Sequence, residues 1–313
     1  MKNILKKMFH KNVSIIDAMP PLKGKVLENQ PLNKMNWFGV GGPAQVYVEP
    51  ADLNDLIRLM QFKPQVPVTV LGGGSNLLIR DGGIVGITIH LGKEFSKITV
   101  KGDMIYAGAG ASLMELARVA AKQNLTGFEF VCCIPGTIGG GIRMNAGAHG
   151  RSLEDVLECI QVVTGEGEYR EIDPKETEVF GYRTCYLPSD WIFVGAIFKG
   201  QKGDGAAIAE KMAAYKKQRE NAQPVGVRTA GSTFKNPQGL QAWALIDKAG
   251  MRGAKVGGAV VSEKHANFLI NLGHATAADI EGLAEDIRTK VWEKSGVELQ
   301  WEVRRVGVHK DKE

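Results

Sequence analysis

Leu71-Gly72-Gly73-Gly74-Ser75-Asn76-Leu77-Leu78-Ile79, "LGGGSNLLI", decides how the chain is read. The preceding "PVTVL" has the β-branched, apolar character of a strand, and a glycine loop after a strand is a common place for nucleotide phosphates. The run after the glycines is short and apolar, and "DGG" then breaks the chain again. No amphipathic helix starts here, and the spacing matches neither GxGxxG nor GxxxxGK[ST]. The loop predicts a phosphate site made by backbone amides converging in a turn, with no long helix dipole behind it.

Three more glycine clusters flank it along the chain. Gly39-Val40-Gly41-Gly42-Pro43-Ala44 fits GxGxxA in form, but Pro43 and the strand-like "QVYVEP" remove the helix that a dinucleotide motif needs. Gly108-Ala109-Gly110 comes after the strand "MIYA" and opens a helix over 112–124, where Ser112 and Glu115 have capping-box spacing. "IPGTIGGGIRMNAGAHG" (134–150) holds two glycine groups joined by a short apolar link. A single cluster is an ordinary tight turn. Several together, two of them after strands, predict a large ligand such as FAD lying across several loops. The residues expected to cradle it are Gly72, Gly73, Gly74, Ser75, Asn76, Gly108, Gly110, Pro135, Gly136, Thr137, Gly139, Gly140, Asn145 and Gly147.

With 313 residues the chain is long enough for about two domains. Residues 1–35, with Pro20-Pro21, read as a loosely attached extension. Residues 36–200 are mostly short apolar runs broken by glycine, interrupted by helices at 52–61 and 112–124. After Gly200 a charged helix (204–223) is ended by Pro224, a helix in "GLQAWALIDKAG" stops at Gly250, and Thr276/Asp279 begin a long amphipathic helix to 296. A second domain therefore runs over 201–307, closed by the strand "VELQWEVRRVG", with a tail at 308–313. Mixed elements without strict alternation predict an α+β fold.

A net charge of +5 favours anionic substrates but falls short of a nucleic-acid signature. An aromatic fraction of 7%, with no stacking residues clustered among basic ones, argues against an RNA-binding module built on the lysine-rich N-terminus. Four cysteines (Cys132, Cys133, Cys159, Cys185) lack metal-site spacing and read as reduced thiols. The first residues lack an apolar signal core, and no later run is long enough to enter a membrane. The expectation is a cytoplasmic protein with no metal, no nucleic acid, no membrane insertion and no obligate protein partner.

"GGGSNLLI" and "IPGTIGG…MNAGAHG" resemble the flavin-binding segments of the UDP-N-acetylenolpyruvoylglucosamine reductase family. The resemblance continues in family order through "GYR" (181–183), "QP" (223–224), "AGSTFKNP" (230–237), "LIDKAG" (245–250), "GGAVVSEKHANFLIN" (257–271) and "EVR" (302–304). It implies a two-lobed FAD domain of the vanillyl-alcohol-oxidase-like, non-Rossmann class and a C-terminal α+β substrate domain. It also implies a flavoprotein oxidoreductase of peptidoglycan synthesis. NADPH gives a hydride to non-covalently held FAD, and the hydride then reduces the enolpyruvyl group of a UDP-sugar to a lactyl ether.

Such a reaction needs a fixed cation, an acid near the carbon that gains charge, and a dry pocket. The resemblance gives these roles to Arg183 on the substrate carboxylate, Ser232 as proton donor and Glu302 polarising the intermediate. Tyr182 positions, Lys235 meets phosphates, and Asn236 meets the sugar or enolpyruvyl group. Arg219 reads equally as a diphosphate ligand or a solvated helix residue, Asp247 as structural and His265 as a hydrogen-bonded core histidine.

The chain departs from the family pattern at His149, often tyrosine, and Cys185, often serine. Arg143 puts a charge in an otherwise apolar flavin loop, and His149 is the first suspect for any covalent flavin link. No insertion with a capping tyrosine lies between Arg183 and Ser232, as in the shorter type of the family. The alternative enzyme reading is an FAD oxidase of the same superfamily acting on an alcohol or hydroxy acid, against which "GSTFKNP" stands.

Overall fold

The computed structural model of the chain describes residues 14–176 and 178–310. The lysine-rich start of the expected extension and the end of the expected tail lie outside the described residues.

The first lobe is a four-stranded sheet in the order β1 (Lys25–Pro31), β2 (Pro43–Glu49), β5 (Ile84–His90), β3 (Val68–Leu71). The short strand β4 is Leu77–Ile79. Strand β5 runs parallel to both of its neighbours and is buried along most of its length, which is why "IVGITIH" is nearly all apolar or β-branched. Helix α1 (Leu53–Gln61) covers this sheet with Leu56, Leu59 and Met60, spaced to share one face.

The second lobe is a five-stranded antiparallel sheet. Its strands are β6 (Ile98–Lys101), β7 (Met104–Gly108), β8 (Leu157–Val163), β9 (Tyr169–Ile172) and β10 (Ile192–Lys199), in the order β9-β8-β10-β7-β6. Helix α2 (Leu113–Lys122) and the short α3 (Ile138–Arg143) lie against it, and one hydrophobic core runs through both lobes. The capping box expected at α2 is not formed. Ser112 is bridged to Thr137, and Glu115 pairs with Arg118 instead.

Residues 25–35 are not a loose extension. Strand β1 is a full edge partner of β2, and the preceding turn is held by the buried Asp55, which accepts from the amides of Lys23 and Gly24. The boundary at 200 also moves. Helix α4 (Gly205–Ala222), expected in the second domain, rests Met212 and Tyr215 on the core of the two lobes.

Beyond it, helix α5 (Ala242–Lys248) and the long α6 (Ala277–Ser295) pack around a separate core with three short antiparallel strands, β11 (Lys255–Val256), β12 (Ala259–Val261) and β13 (Leu269–Asn271). The capping box of Thr276 and Asp279 is present, and Gly296 ends α6 in the left-handed region at φ 68°. The last strand, β14 (Arg304–Val306), leaves this unit and pairs in parallel with β4 of the first lobe. Val308, expected in the tail, continues the contact by accepting from the Gly82 amide.

Candidate active site

The two lobes and the C-terminal unit enclose a cleft of about 1480 Å³. One wall is built by two glycine loops pressed together. A side chain at Gly73 would bring its Cβ to 2.9 Å from the Gly136 Cα, and one at Gly72 would meet the Thr137 hydroxyl at 2.8 Å. The Ser75 hydroxyl locks the pair by donating to the Pro135 carbonyl at 3.2 Å. Ile138 and Gly139 donate to the carbonyls of Ala111 and Ala109, so the loop after Pro135 is also fixed to the end of β7.

This wall fits a dinucleotide such as FAD. Among the described residues, the backbone N–H groups of Gly72 to Asn76 have no protein acceptor, which leaves them free to meet a ligand's oxygens. A Cβ at Gly140 would meet only Thr137 at 3.5 Å and would point into the open cleft. The buried hydroxyl of Thr229, also on the wall, has no partner. Four arginines, Arg143, Arg183, Arg219 and Arg304, line the cleft and make it favourable to anions.

Arg183 projects from a two-residue hairpin turn between Gly181 and Thr184. Its φ of 54° lies in the left-handed region, which costs a non-glycine residue about 1–2 kcal/mol. The side chain is anchored at both ends of its fork: Nη2 donates to the Gly147 carbonyl at 2.8 Å, and Nε donates to Glu302 at 3.2 Å. Glu302 comes from the approach to β14. Alternation there turns Glu302 and Arg304 to the cleft, while Trp301 packs on Phe234 and Val303 is buried. Burial pushes the Glu302 carboxyl up, and Arg183 and then Lys235 oppose the rise without cancelling it.

Ser232 reaches the same wall because its segment is pinned on two sides. Glu302 donates its amide to the Thr233 carbonyl at 2.8 Å. The buried Asn267 brackets Phe234, accepting from its N–H at 3.0 Å and donating to its carbonyl at 2.8 Å. Asn76 completes the frame: its side chain donates to the Glu302 carbonyl at 3.0 Å and its carbonyl accepts from the Arg304 amide.

The cleft thus gathers Gly72, Gly73, Gly74, Ser75, Asn76, Gly110, Pro135, Gly136, Thr137, Gly139, Gly140, Gly147, Arg183, Ser232 and Glu302. Five other expected residues do not line it. Gly108 is hemmed in by Phe95 backbone, because a Cβ there would sit 2.1 Å from a carbonyl oxygen. Asn145 is buried and ties Gly181 to the Glu154 amide, supporting the hairpin of Arg183. Tyr182 is exposed with its ring 5.4 Å from the Arg183 guanidinium carbon. Asn236 is exposed and accepts from the amide of Ala242 at the start of α5, and Lys235 contributes charge near Glu302 from outside the cleft.

Arg143 clamps the carbonyls of Leu187, Pro188 and Trp191 and lies over Phe193, so its charge fixes a loop. His149 stacks on Tyr215 of α4 at 3.6 Å, and burial holds its imidazole below the ordinary histidine range. Arg219 lines the cleft, which removes the solvated-helix reading. Arg252 holds Asp247 at 2.7 Å, and His265 accepts from the Asn267 amide, both structural roles. Thr229 escapes a reading of the sequence, since an isolated threonine carries no local signal, and Arg304, though inside "EVR", is given no role by it.

The domain family described as "FAD binding domain" matches residues 44–173, and "UDP-N-acetylenolpyruvoylglucosamine reductase, C-terminal domain" matches 223–306. Curated proteins named UDP-N-acetylenolpyruvoylglucosamine reductase are close relatives. The one from Paramagnetospirillum magneticum is 50% identical over 94% of this chain and 96% of its own length. One from Methylorubrum extorquens is 52% identical over 94% of this chain and 97% of its own length.

The crystal structure of UDP-N-acetylenolpyruvylglucosamine reductase from Thermus caldophilus superposes with a TM-score of 0.80 at 33% identity, covering 92% of this chain and all of that one. The fold is α+β, with an FAD-binding domain ahead of the C-terminal unit. Glycine loops backed by strands, a cleft that fits the cofactor and relatives matched end to end converge: the chain is an FAD-dependent oxidoreductase of the UDP-N-acetylenolpyruvoylglucosamine reductase family.

Proposed function

We propose that the chain reduces the enolpyruvyl group of UDP-N-acetylglucosamine enolpyruvate to the lactyl ether, using NADPH, in peptidoglycan precursor synthesis. The observation that carries this reading is the Arg183–Glu302 pair at 3.2 Å, facing the same cleft as Ser232 and the glycine loops. When bound, FAD supplies a hydride relay from NADPH to the terminal vinyl carbon.

The chain's own residues handle the charge and the proton. As hydride arrives, negative charge grows on the carbon next to the carboxylate. Arg183, permanently charged and already anchored, grips that carboxylate. The Ser232 hydroxyl gives its proton to the carbanionic carbon, a strong base. Glu302, its carboxyl pushed above the ordinary carboxylate range chiefly by burial, orients the acid and supports the developing charge. The Asn76 and Asn267 hydrogen bonds keep these groups in register.

FAD is held non-covalently in this reading, with the His149 ring stacked on Tyr215. Acid precipitation of the yellow protein releases free flavin, and colour retained in the pellet indicates a covalent link. Under anaerobic conditions NADPH bleaches the flavin and the enolpyruvyl UDP-sugar restores it. Reoxidation by oxygen with the UDP-sugar inert overturns the reading in favour of an oxidase.

A further inference from the structure

Cys132 and Cys133 are adjacent in sequence, both line the cleft, and their sulfurs stand 3.4 Å apart at the end of a short turn over Glu129–Cys133. Neither thiol has a part in the chemistry above. We propose that this pair is a chelating dithiol site for a trivalent arsenical, one that brings its own third substituent into the cleft.

Three observations narrow the ligand class. The sulfur separation is far from the about 2.05 Å of a disulfide, so oxidation requires closing a strained ring between neighbours. Two sulfurs bonded at about 2.3 Å, the length of a zinc–thiolate bond, to one centre at roughly a right angle stand about 3.3 Å apart. The observed spacing meets that requirement with almost no movement. Zinc needs four ligands, and among the described residues no group of three or more His, Cys, Asp or Glu side chains is placed to hold a metal. Trivalent arsenic needs only three ligands, two from the thiols and one of its own.

The surroundings favour capture over simple alkylation. Burial pushes the Cys132 thiol up to about 12, helped by the Cys133 contact, so little nucleophilic thiolate exists at neutral pH. Arsenical capture carries off both protons as water: R–As=O and two thiols give R–As(S)₂ and H₂O, with no change in oxidation state. Arg219 lies close enough to stabilise thiolate character as the bonds form.

The test treats the purified, FAD-loaded protein with phenylarsine oxide and reads intact mass, flavin fluorescence and peptide maps. One phenylarsenic adduct per chain is expected, with flavin released because the phenyl group enters the cleft. Dimercaptopropanol should remove the adduct, and mercaptoethanol at equal thiol concentration should not. Cys132→Ser and Cys133→Ser should each weaken capture by about 10²–10⁴-fold, the usual gain from a second linked contact. Cys159→Ser should bind as the unaltered protein does.

If the serine variants do not fold, differential alkylation of the unaltered protein after denaturation decides. Protection of Cys132 and Cys133, with Cys159 and Cys185 alkylated, supports the site. An adduct that survives both serine changes, that a monothiol strips, or that leaves all four cysteines open to alkylation overturns it.

Discussion

Ser232 gives the most direct residue-level prediction. Ser232→Ala should leave flavin content and bleaching by NADPH nearly intact, because that step needs no proton at the substrate. Reoxidation by the enolpyruvyl UDP-sugar should slow by about 10²–10⁴-fold, the usual contribution of a positioned acid. Stopped-flow absorbance of each half-reaction checks this, and equal slowing of both halves rejects the assignment. Glu302 predicts a pH effect. Its folded pKa is raised, chiefly by burial, so between the ordinary carboxylate value and the raised one the folded chain holds a proton that the unfolded chain has lost. Stability therefore falls as pH climbs through that window. Urea melts should show the unaltered protein losing stability relative to Glu302→Gln over the same range, and parallel curves would count against it. The motif strings made these residues legible, but not their supports. Asn145 and Asn236 lie in flavin- and substrate-like strings, yet their amides are spent on Gly181 and Ala242, partners that only the folded chain brings near.

At the scale of one element, the short helix α3 carries two glycines with opposite duties. Gly141 is packed between Leu113 and Leu153, each 2.9 Å from where its Cβ would lie. Gly141→Ala should destabilise by about 1–3 kcal/mol through overpacking, read as a lower denaturant midpoint without flavin. Gly140 faces the cleft with room for a methyl group, so Gly140→Ala should keep that midpoint while weakening FAD binding roughly tenfold, since about 1.4 kcal/mol of lost contact is tenfold. Fluorescence titration of the flavin-free protein separates the two. The sequence "GTIGGGIR" shows three consecutive glycines with no hint of which faces what. Their duties diverge because a helix turns about 100° per residue, which only the packed neighbours reveal. Sequence reading misplaces helix α4 for a related reason. Its many charges suggest a separate solvated element, whereas Ile208 is buried and Met212 and Tyr215 rest on the two-lobe core.

For the whole molecule, the return of β14 to the first lobe matters most. Its partner strand contains Leu78 and Ile79, both fully buried, and Arg80 donates its amide to Val306. Side chains reinforce the seam, with Arg80 paired to Glu281 at 2.8 Å and Asp81 accepting from the first amides of α6. A chain stopped before Arg304 should lose soluble yield and flavin together, measured as the ratio of flavin to protein absorbance. Retention of a full flavin complement would show that the seam is dispensable. The change of composition after Gly200 signals a new run of helices, but it does not mark where the second core begins, since α4 packs on the first. The seam was not legible, because a parallel pair so far apart in the chain leaves no local trace in either strand.

Asn76 has a consequence for how such a protein can be rebuilt. The loop before β4 and the strand approach bearing Glu302 share that one side chain and one further amide bond, so they form a single mechanical part drawn from both ends of the polypeptide. The two stretches matched by separate domain families, 44–173 and 223–306, are therefore not interchangeable modules. A chimera exchanging either stretch with a distant homologue inherits half of a hinge pin. To keep Glu302 joined to the loop before β4, the exchange must carry residues 72–81 and 300–308 as one unit.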